Sequence, residues 1–387
     1  MRLVRLLLVA SAFAFACGAA PAGGAETRVQ VAPSDTSAVL DAARAKVAAG
    51  DTRGAIAGLE PYSTAHPNDM AAARLLGDLY FRVPDYARAE RVWKRILTQQ
   101  PDDKETHNRL GSLYSAQDRV DEAIAEFQKS LPSRGGIAGL VAMHKRVGDL
   151  AQWLAKEQAA ADEHPLDPVP WSELGMVRRE LRQYEAALTA YSHAVAMRPG
   201  SCSAQVDVAN ALVDLGRVDP AIDHLQKCLK IDGGYYPAVV NLGEAYLEKK
   251  DVSTARPYFD RALTLRPNGN EALVDVGYIL DLRGDWKGAI IYYNRAIAAD
   301  PLRPEAYIDL GFDYNEHRLF AQAEAAYLKG ISVAPDEGRL HYMLAVTYNL
   351  QGKIALARQQ YHLAIDSAEP VVVRAAKSEL ALLPGGP

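Results

Sequence analysis

The chain of 387 residues holds only three cysteines, four tryptophans and seven phenylalanines, and after residue 16 it has no apolar run long enough to cross a bilayer. Three cysteines cannot form the disulfide framework of a small secreted domain. There is no HExxH, CxxC, glycine-rich phosphate loop or serine elbow, so the commonest hydrolase and nucleotide-enzyme signatures are excluded. Nor is there a basic excess: 43 Lys and Arg stand against 48 Asp and Glu, a net charge of −5, and nucleic acid would want a basic face. What remains is an alanine-rich chain, 49% apolar and without low-complexity charge runs, which reads as folded and mostly helical.

Residues 1–25 are of another kind. Arg2 and Arg5 precede the apolar run Leu6–Ala16, and the small residues of "CGAAPAGGAE" follow, the pattern of an export signal. Two processing routes meet there. Cleavage after Ala22 or Ala25 would release a soluble periplasmic protein. The alternative reads "FAFAC-G" as an imperfect lipobox, which would lipidate Cys17, leave Gly18–Ala25 as a tether, and give an outer-membrane lipoprotein facing the periplasm. Membrane contact is expected only through that anchor.

Past residue 33 the chain is periodic. Proline stands at 33, 67, 101, 165, 199, 267, 301 and 335, and Gly233 fills the one gap in the spacing of 34. Ten residues after the starts at 67, 101, 165, 199, 233, 267, 301 and 335 come Gly77, Gly111, Gly175, Ala209, Gly243, Gly277, Gly311 and Ala345. Twenty-two residues on, all eight frames hold alanine, from Ala89 to Ala357, and twenty-six residues on stand Trp93, Phe127, Tyr191, Leu225, Phe259, Tyr293, Tyr327 and Tyr361. A small residue on one helix facing a small one on the next lets two antiparallel helices approach, and an aromatic fills the space a turn away. In "NLGEAY" this reading makes Gly243 the gap and Tyr246 its plug. Gly50, Gly216, Gly284 and Gly352 fall where a left-handed turn between the two helices is wanted.

"YIDLGFDY" with Ala323, Tyr327 and Pro335, and "WSELG" at 171–175, resemble the tetratricopeptide repeat, W-x2-L-G-x2-Y, A-x3-F, P, at a period of 34. The resemblance implies an all-α, right-handed α-solenoid of about ten helix-turn-helix repeats. Its expected divisions are N-terminal repeats over 33–131, a degenerate repeat over 132–164, C-terminal repeats over 165–368 and a capping helix over 369–383. The degenerate repeat starts four residues early, after a shortened linker "SLPSRGG", and puts Val141, Trp153 and Glu157 at the landmark positions. The capping helix would lay Val372, Ala376 and Leu380 on the last repeat.

No catalytic constellation emerges. His193, His224 and His362 read as solvated surface residues, and the acids Asp275 and Asp309 recur at one repeat position, the behaviour of a surface stripe. The chain is therefore expected to be no enzyme and to use no cofactor or metal.

In this family the first helix of each pair lines a concave surface on which partners lie, so the resemblance implies a groove. Arg74 and Arg109 would make its first part basic. Asp207, Glu244, Glu248, Glu271, Asp275 and Asp309 would make its later part an acidic wall, around an apolar ladder of Val206, Val240, Val274, Ile308 and Tyr342 joined by Tyr278 and Phe312. Such a wall suits a basic amphipathic partner segment. Asn210 and Asn241 match two asparagines of the family's carboxylate clamp, but Val206, Glu271 and Asp275 replace its cations, so capture of a terminal carboxylate is not expected. The reading is a protein-binding scaffold of the bacterial envelope, an assembly or secretion factor. The alternative is a glycan-handling module of a polysaccharide export system, for which only Tyr278, Phe312 and Tyr342 offer stacking faces.

Cys202 and Cys228 belong to one repeat, at positions 3 and 29. Levels in an antiparallel hairpin match when two positions sum to a constant, which the small pair at 10 and 22 sets at 32. The two thiols are therefore expected within disulfide reach at the open end of that hairpin.

Overall fold

The computed structural model describes residues 35–367 and 369–384, so the export signal, its tether and Cys17 lie outside the described residues. Those residues form 21 α-helices with no strand among them. They fall into two compact units, one of residues 42–301 and one of residues 302–384 with 35–41.

Helix α1 (Asp35–Ala48) crosses the boundary at residue 41. Residues 42–301 continue with α2 (Thr52–Ala65), α3 (Met70–Arg82), α4 (Tyr86–Gln99), α5 (Lys104–Ala116), α6 (Val120–Lys129), α7 (Arg134–Val147) and α8 (Leu150–Glu163). They end with α9 (Pro168–Glu180), α10 (Tyr184–Met197), α11 (Cys202–Asp214), α12 (Val218–Ile231), α13 (Tyr236–Glu248), α14 (Val252–Leu265), α15 (Asn270–Leu282) and α16 (Trp286–Ala299). The other unit contains α17 (Glu305–Glu316), α18 (Phe320–Val333), α19 (Gly338–Leu350), α20 (Ile354–Ile365) and α21 (Pro370–Leu382). Within each unit successive helices stack as hairpins, and α21 caps the last one by burying Val372 and Ala376 while Leu380 stays half-buried.

Local chemistry sets the boundaries. Pro67 and Pro101 sit in the tight turns that end one repeat, and Asp69 and Asp103 then accept from the backbone N–H of Ala72 (3.0 Å) and Thr106 (3.3 Å), capping α3 and α5. Inside the hairpins Gly50, Gly148, Gly216, Gly284 and Gly352 adopt φ between +72° and +88°, the left-handed C-cap. Asp118, Arg182, Lys250 and Arg318 take the same conformation without the help of glycine.

The eight periodic alanines are all completely buried. A Cβ on Gly243 would come within 2.6 Å of the Phe259 ring, and Gly277 and Gly311 meet Tyr293 and Tyr327 in the same way. The gap on the first helix is thus filled from the second helix. Tyr246, expected to be the plug for Gly243, instead lies half-buried and stacked on Tyr258, 5.7 Å between centroids. Antiparallel packing explains the difference: a side chain on the same helix lies beside Gly243 along one face, whereas Phe259 of the facing helix points directly into the gap.

The early start at 131 also has a different origin from the one expected. Helix α6 has 10 residues where α4, α10, α12, α14 and α16 each have 14, so the four missing residues are its last helical turn rather than part of the linker.

Candidate partner-binding cleft

Three consecutive first helices, α7, α9 and α11, enclose a cleft of about 470 Å³. Its lining includes Arg134 and Ile137 from α7, Met176, Arg179 and Glu180 from α9, and Asp207, Asn210 and Asp214 from α11. Arg182, Tyr184 and Tyr191 complete it from the turn and second helix of the middle repeat. Tyr191 is fixed there by Gly175, whose missing side chain leaves room for the ring.

The electrostatics are set by pairing between neighbouring repeats. Arg179 binds Asp214 with two nitrogens, Nε on Oδ2 and Nη2 on Oδ1, the latter at 3.3 Å. In the earlier repeats Arg109 holds Asp78 bidentately at 2.5 and 3.0 Å, and Arg74 pairs with Asp103. Arg74 and Arg109 are therefore engaged in holding repeats together, which corrects the expectation of a free basic stretch. The expected change of sign is likewise reduced where Arg179 compensates Asp214. Asp207 differs from these acids. It is half-buried on the cleft wall, burial pushes its carboxyl up to about 6, and Arg179, already committed to Asp214, is the charge that opposes the shift.

The remaining expected groove residues divide by burial. Asn210 and Asn241 meet, Asn241 Nδ2 donating to Asn210 Oδ1 at 2.8 Å, so the pair links neighbouring repeats. Glu244, Glu248 and Glu271 are exposed and Tyr278 is half-buried. Asp275 is only 3% exposed, so it is an interior residue and no part of an accessible wall. Val206, Val240 and Val274 are buried too, and this part of the ladder is packing rather than a line open to a partner. In the other unit Asp309 is half-buried, whereas Ile308, Phe312 and Tyr342 are 2%, 8% and 5% exposed. Phe312 and Tyr342 accordingly offer no stacking face to a sugar, which removes two of the three aromatics that the glycan reading needed. Strict repetition conceals such residues, because a valine beside a small residue reads the same whether it faces a partner or the next repeat.

The histidines serve the fold. His107 bonds the Pro101 carbonyl (2.7 Å) and Glu126 (2.6 Å), and His341 bonds the Pro335 carbonyl and Gln360, both at 2.8 Å. Gln205 and His224 make the equivalent latch in their repeat at 2.9 and 2.7 Å. His224 is thus an engaged, half-buried group, not a solvated one, and His193 stacks on Trp171 at 4.3 Å. His362 is exposed, as expected. Among the described residues no group of His, Cys, Asp and Glu is placed to hold a metal, and no helix is long and apolar enough to cross a membrane.

Cys202 and Cys228 are joined with their Cα atoms 4.6 Å apart, linking the open end of the hairpin formed by α11 and α12.

Stacked helical hairpins with glycine-aromatic contacts define an all-α solenoid of repeats. The chain belongs to the tetratricopeptide repeat family, whose model matches residues 40–90, 83–136, 172–236, 240–304 and 309–370. The match skips residues 137–171, which carry part of the cleft. No curated protein matches the chain. Among solved structures it is similar to a chain of the APC/C hetero-tetramer Cut9–Hcn1, at 16% identity and a TM-score of 0.49, over 81% of this chain and 64% of that one. It is also similar to a tetratricopeptide repeat protein from Parabacteroides merdae, at 15% identity and a TM-score of 0.49, over 71% of this chain and 97% of that one. A thermophilic protein of the same repeat class from Thermus thermophilus aligns at 23% identity and a TM-score of 0.44, over 47% of this chain and 99% of that one. Arrays of this family generally bind other proteins and are generally non-catalytic.

Proposed function

We propose that the protein is a non-catalytic scaffold of the bacterial cell envelope that holds a segment of a partner polypeptide against its first helices, as an assembly or secretion factor would. One observation carries the reading: a cleft of about 470 Å³ that crosses three consecutive first helices and mixes the apolar Ile137 and Met176 with charged groups. An extended or helical segment could place an apolar residue on Met176 and polar groups on the walls around it. The envelope assignment rests on the leader pattern of Arg2, Arg5 and Leu6–Ala16, and the same segment offers Cys17 as an anchor. A photocrosslinking residue at Met176 tests the reading in intact cells. A discrete partner band is expected there and not from Ile291, a 60% exposed residue of α16 outside the cleft. Equal labelling at both positions would show that the cleft is not the binding surface.

A further inference from the structure

We propose that Asp207 is the receiving carboxylate for a single cationic side chain, a lysine or arginine of the segment that seats in the cleft; the inference rests on the scaffold reading and names the chemistry it selects.

The carboxylates of Asp78, Asp103 and Asp214 are each closed by an arginine of a neighbouring repeat. Asp207 lies about two helical turns before Asp214 on the same helix, yet it takes part in no ion pair or hydrogen bond among the described residues; only the field of Arg179 favours its charge. The groups that face it are Arg179 from α9, Tyr191 from α10 and Tyr235 just before α13, with Arg134 of α7 across the cleft and Asp214 on its own helix. Both tyrosine hydroxyls are pushed up, and Asp207 contributes to each shift. A phenol ionises only to an anion, so neither tyrosine can neutralise the Asp207 carboxylate.

A half-buried carboxylate without a partner has already lost much of its water, and that desolvation cost belongs to folding. An arriving guanidinium or ammonium gains the charge-assisted bond without the protein side being stripped again. The same lining limits the ligand. Arg134 and Arg182 line the cleft beside the paired Arg179, so a second cation close to the first would meet like charge unless it reached the exposed Glu180, while Ile137 and Met176 accept an apolar neighbour. One basic residue flanked by apolar or acidic residues fits; a polybasic run does not. This differs from the broadly basic segment that an acidic wall would select, because three arginines line the cleft, and beside the half-buried Asp207 only the exposed Glu180 offers a carboxylate that no arginine closes.

The test is selection of random phage-displayed peptides on the full chain at about pH 7.5, each selected peptide then being measured against wild type and Asp207→Asn. Peptides with one Lys or Arg are expected, losing about tenfold or more in affinity on Asp207→Asn and a similar amount when citrulline or glutamine replaces their cation. The second substitution leaves the protein untouched and separates charge recognition from any change in folding. Affinity should also fall about tenfold at pH 5, where a carboxyl titrating near 6 is mostly protonated. Peptides that bind Asp207→Asn as well as wild type would overturn the assignment of Asp207 and leave the scaffold reading standing. Selection of no peptide that competes with crosslinking at Met176 would overturn both.

Discussion

Two hairpins of the 42–301 unit, α13–α14 and α7–α8, differ in three landmark residues, and the difference shows what the repeat code does. In α13–α14 Gly243 receives the Phe259 ring, and Ala255, Phe259 and Ala262 are buried on the second helix. In α7–α8 the corresponding positions hold Val141, Trp153 and Glu157. There Trp153 stacks on His144 at 4.5 Å, α8 buries only Trp153 and Ala161, and burial pushes the Glu157 carboxyl up. Among the glycines of α7, Gly139 meets Phe127 of the repeat before, with a Cβ position only 2.5 Å from the ring. Helix α7 therefore packs closely backwards rather than against its own partner. Glycine-aromatic closure makes a hairpin that leaves no room; relaxing it leaves open space beside α9. There the 470 Å³ cleft lies on one side, and a second cavity of about 340 Å³, lined by Gln158, Trp171 and His193, on the other.

The comparison is broken most strongly by removing the plug. Phe259→Ala should cost about 3–5 kcal/mol, while Trp153→Ala, in a site better able to collapse, should cost about half as much. Because a repeat array need not unfold in one step, the measurement is hydrogen exchange resolved by repeat. Protection should fall over residues 236–265 and their neighbours in the first variant and only over residues 134–163 in the second. Equal losses would mean that the landmark residues do not set hairpin strength.

One of the two hairpins between these, α11–α12, has a leucine, Leu225, in place of the aromatic and a disulfide instead. With a sequence separation of 26 between Cys202 and Cys228, the crosslink should contribute about 3.5 kcal/mol in the chain-entropy account. Protein recovered from an oxidising compartment is expected to titrate no thiol at these positions, and Cys202→Ala with Cys228→Ala should lower the denaturant midpoint of this region. Two free thiols in such protein would count against the bond in solution.

Asp207→Asn should act in the other direction. A folded-state value of about 6, well above the ordinary carboxylate range, means that the folded protein binds this proton more tightly than the unfolded chain does. The group therefore costs stability above about pH 6, and the cost disappears as pH falls toward about 4. Removing the charge should stabilise the protein by on the order of 1–2 kcal/mol at neutral pH, with the gain vanishing in acid. A constant difference across that range would show that Asp207 is not the strained carboxylate of the cleft.

Much of this was legible in the sequence, because a period of 34 with glycine, alanine and an aromatic at constant positions leaves one packing solution. The helix pairs, the left-handed glycines and the closeness of Cys202 to Cys228 all follow from that period. The identity of the plug did not follow, since Tyr246 and Phe259 are both aromatic and only the antiparallel crossing decides between them. The accessible surface was harder still. Asp275 and Asp207 are the same residue type at the same repeat position, two repeats apart, yet one is interior and the other opens into a cleft. Asp207 lines the cleft together with Arg134 and Ile137 of the irregular repeat, whereas Asp275 is covered. The signal that could have located the cleft was the departure itself: Val141, Trp153 and Glu157 mark where closure fails.

The smallest expected effect isolates backbone from packing. Gly284 and Lys250 occupy the same left-handed turn position, at φ +81° and +60°, and nothing lies within 4 Å of a Cβ placed on Gly284. Both turns are exposed, so neither substitution opens or fills space. Gly284→Ala should cost about 1 kcal/mol, because a Cβ in the left-handed region approaches the following carbonyl. Lys250→Gly should relieve a similar strain, but the more flexible unfolded chain takes part of it back, leaving a gain of about 0.5 kcal/mol or less. The two shifts should have opposite signs and unequal sizes in denaturant midpoint. Equal and opposite shifts would mean that unfolded-state entropy contributes nothing here, and shifts of the same sign would mean that the lysine side chain stabilises its turn by a contact of its own.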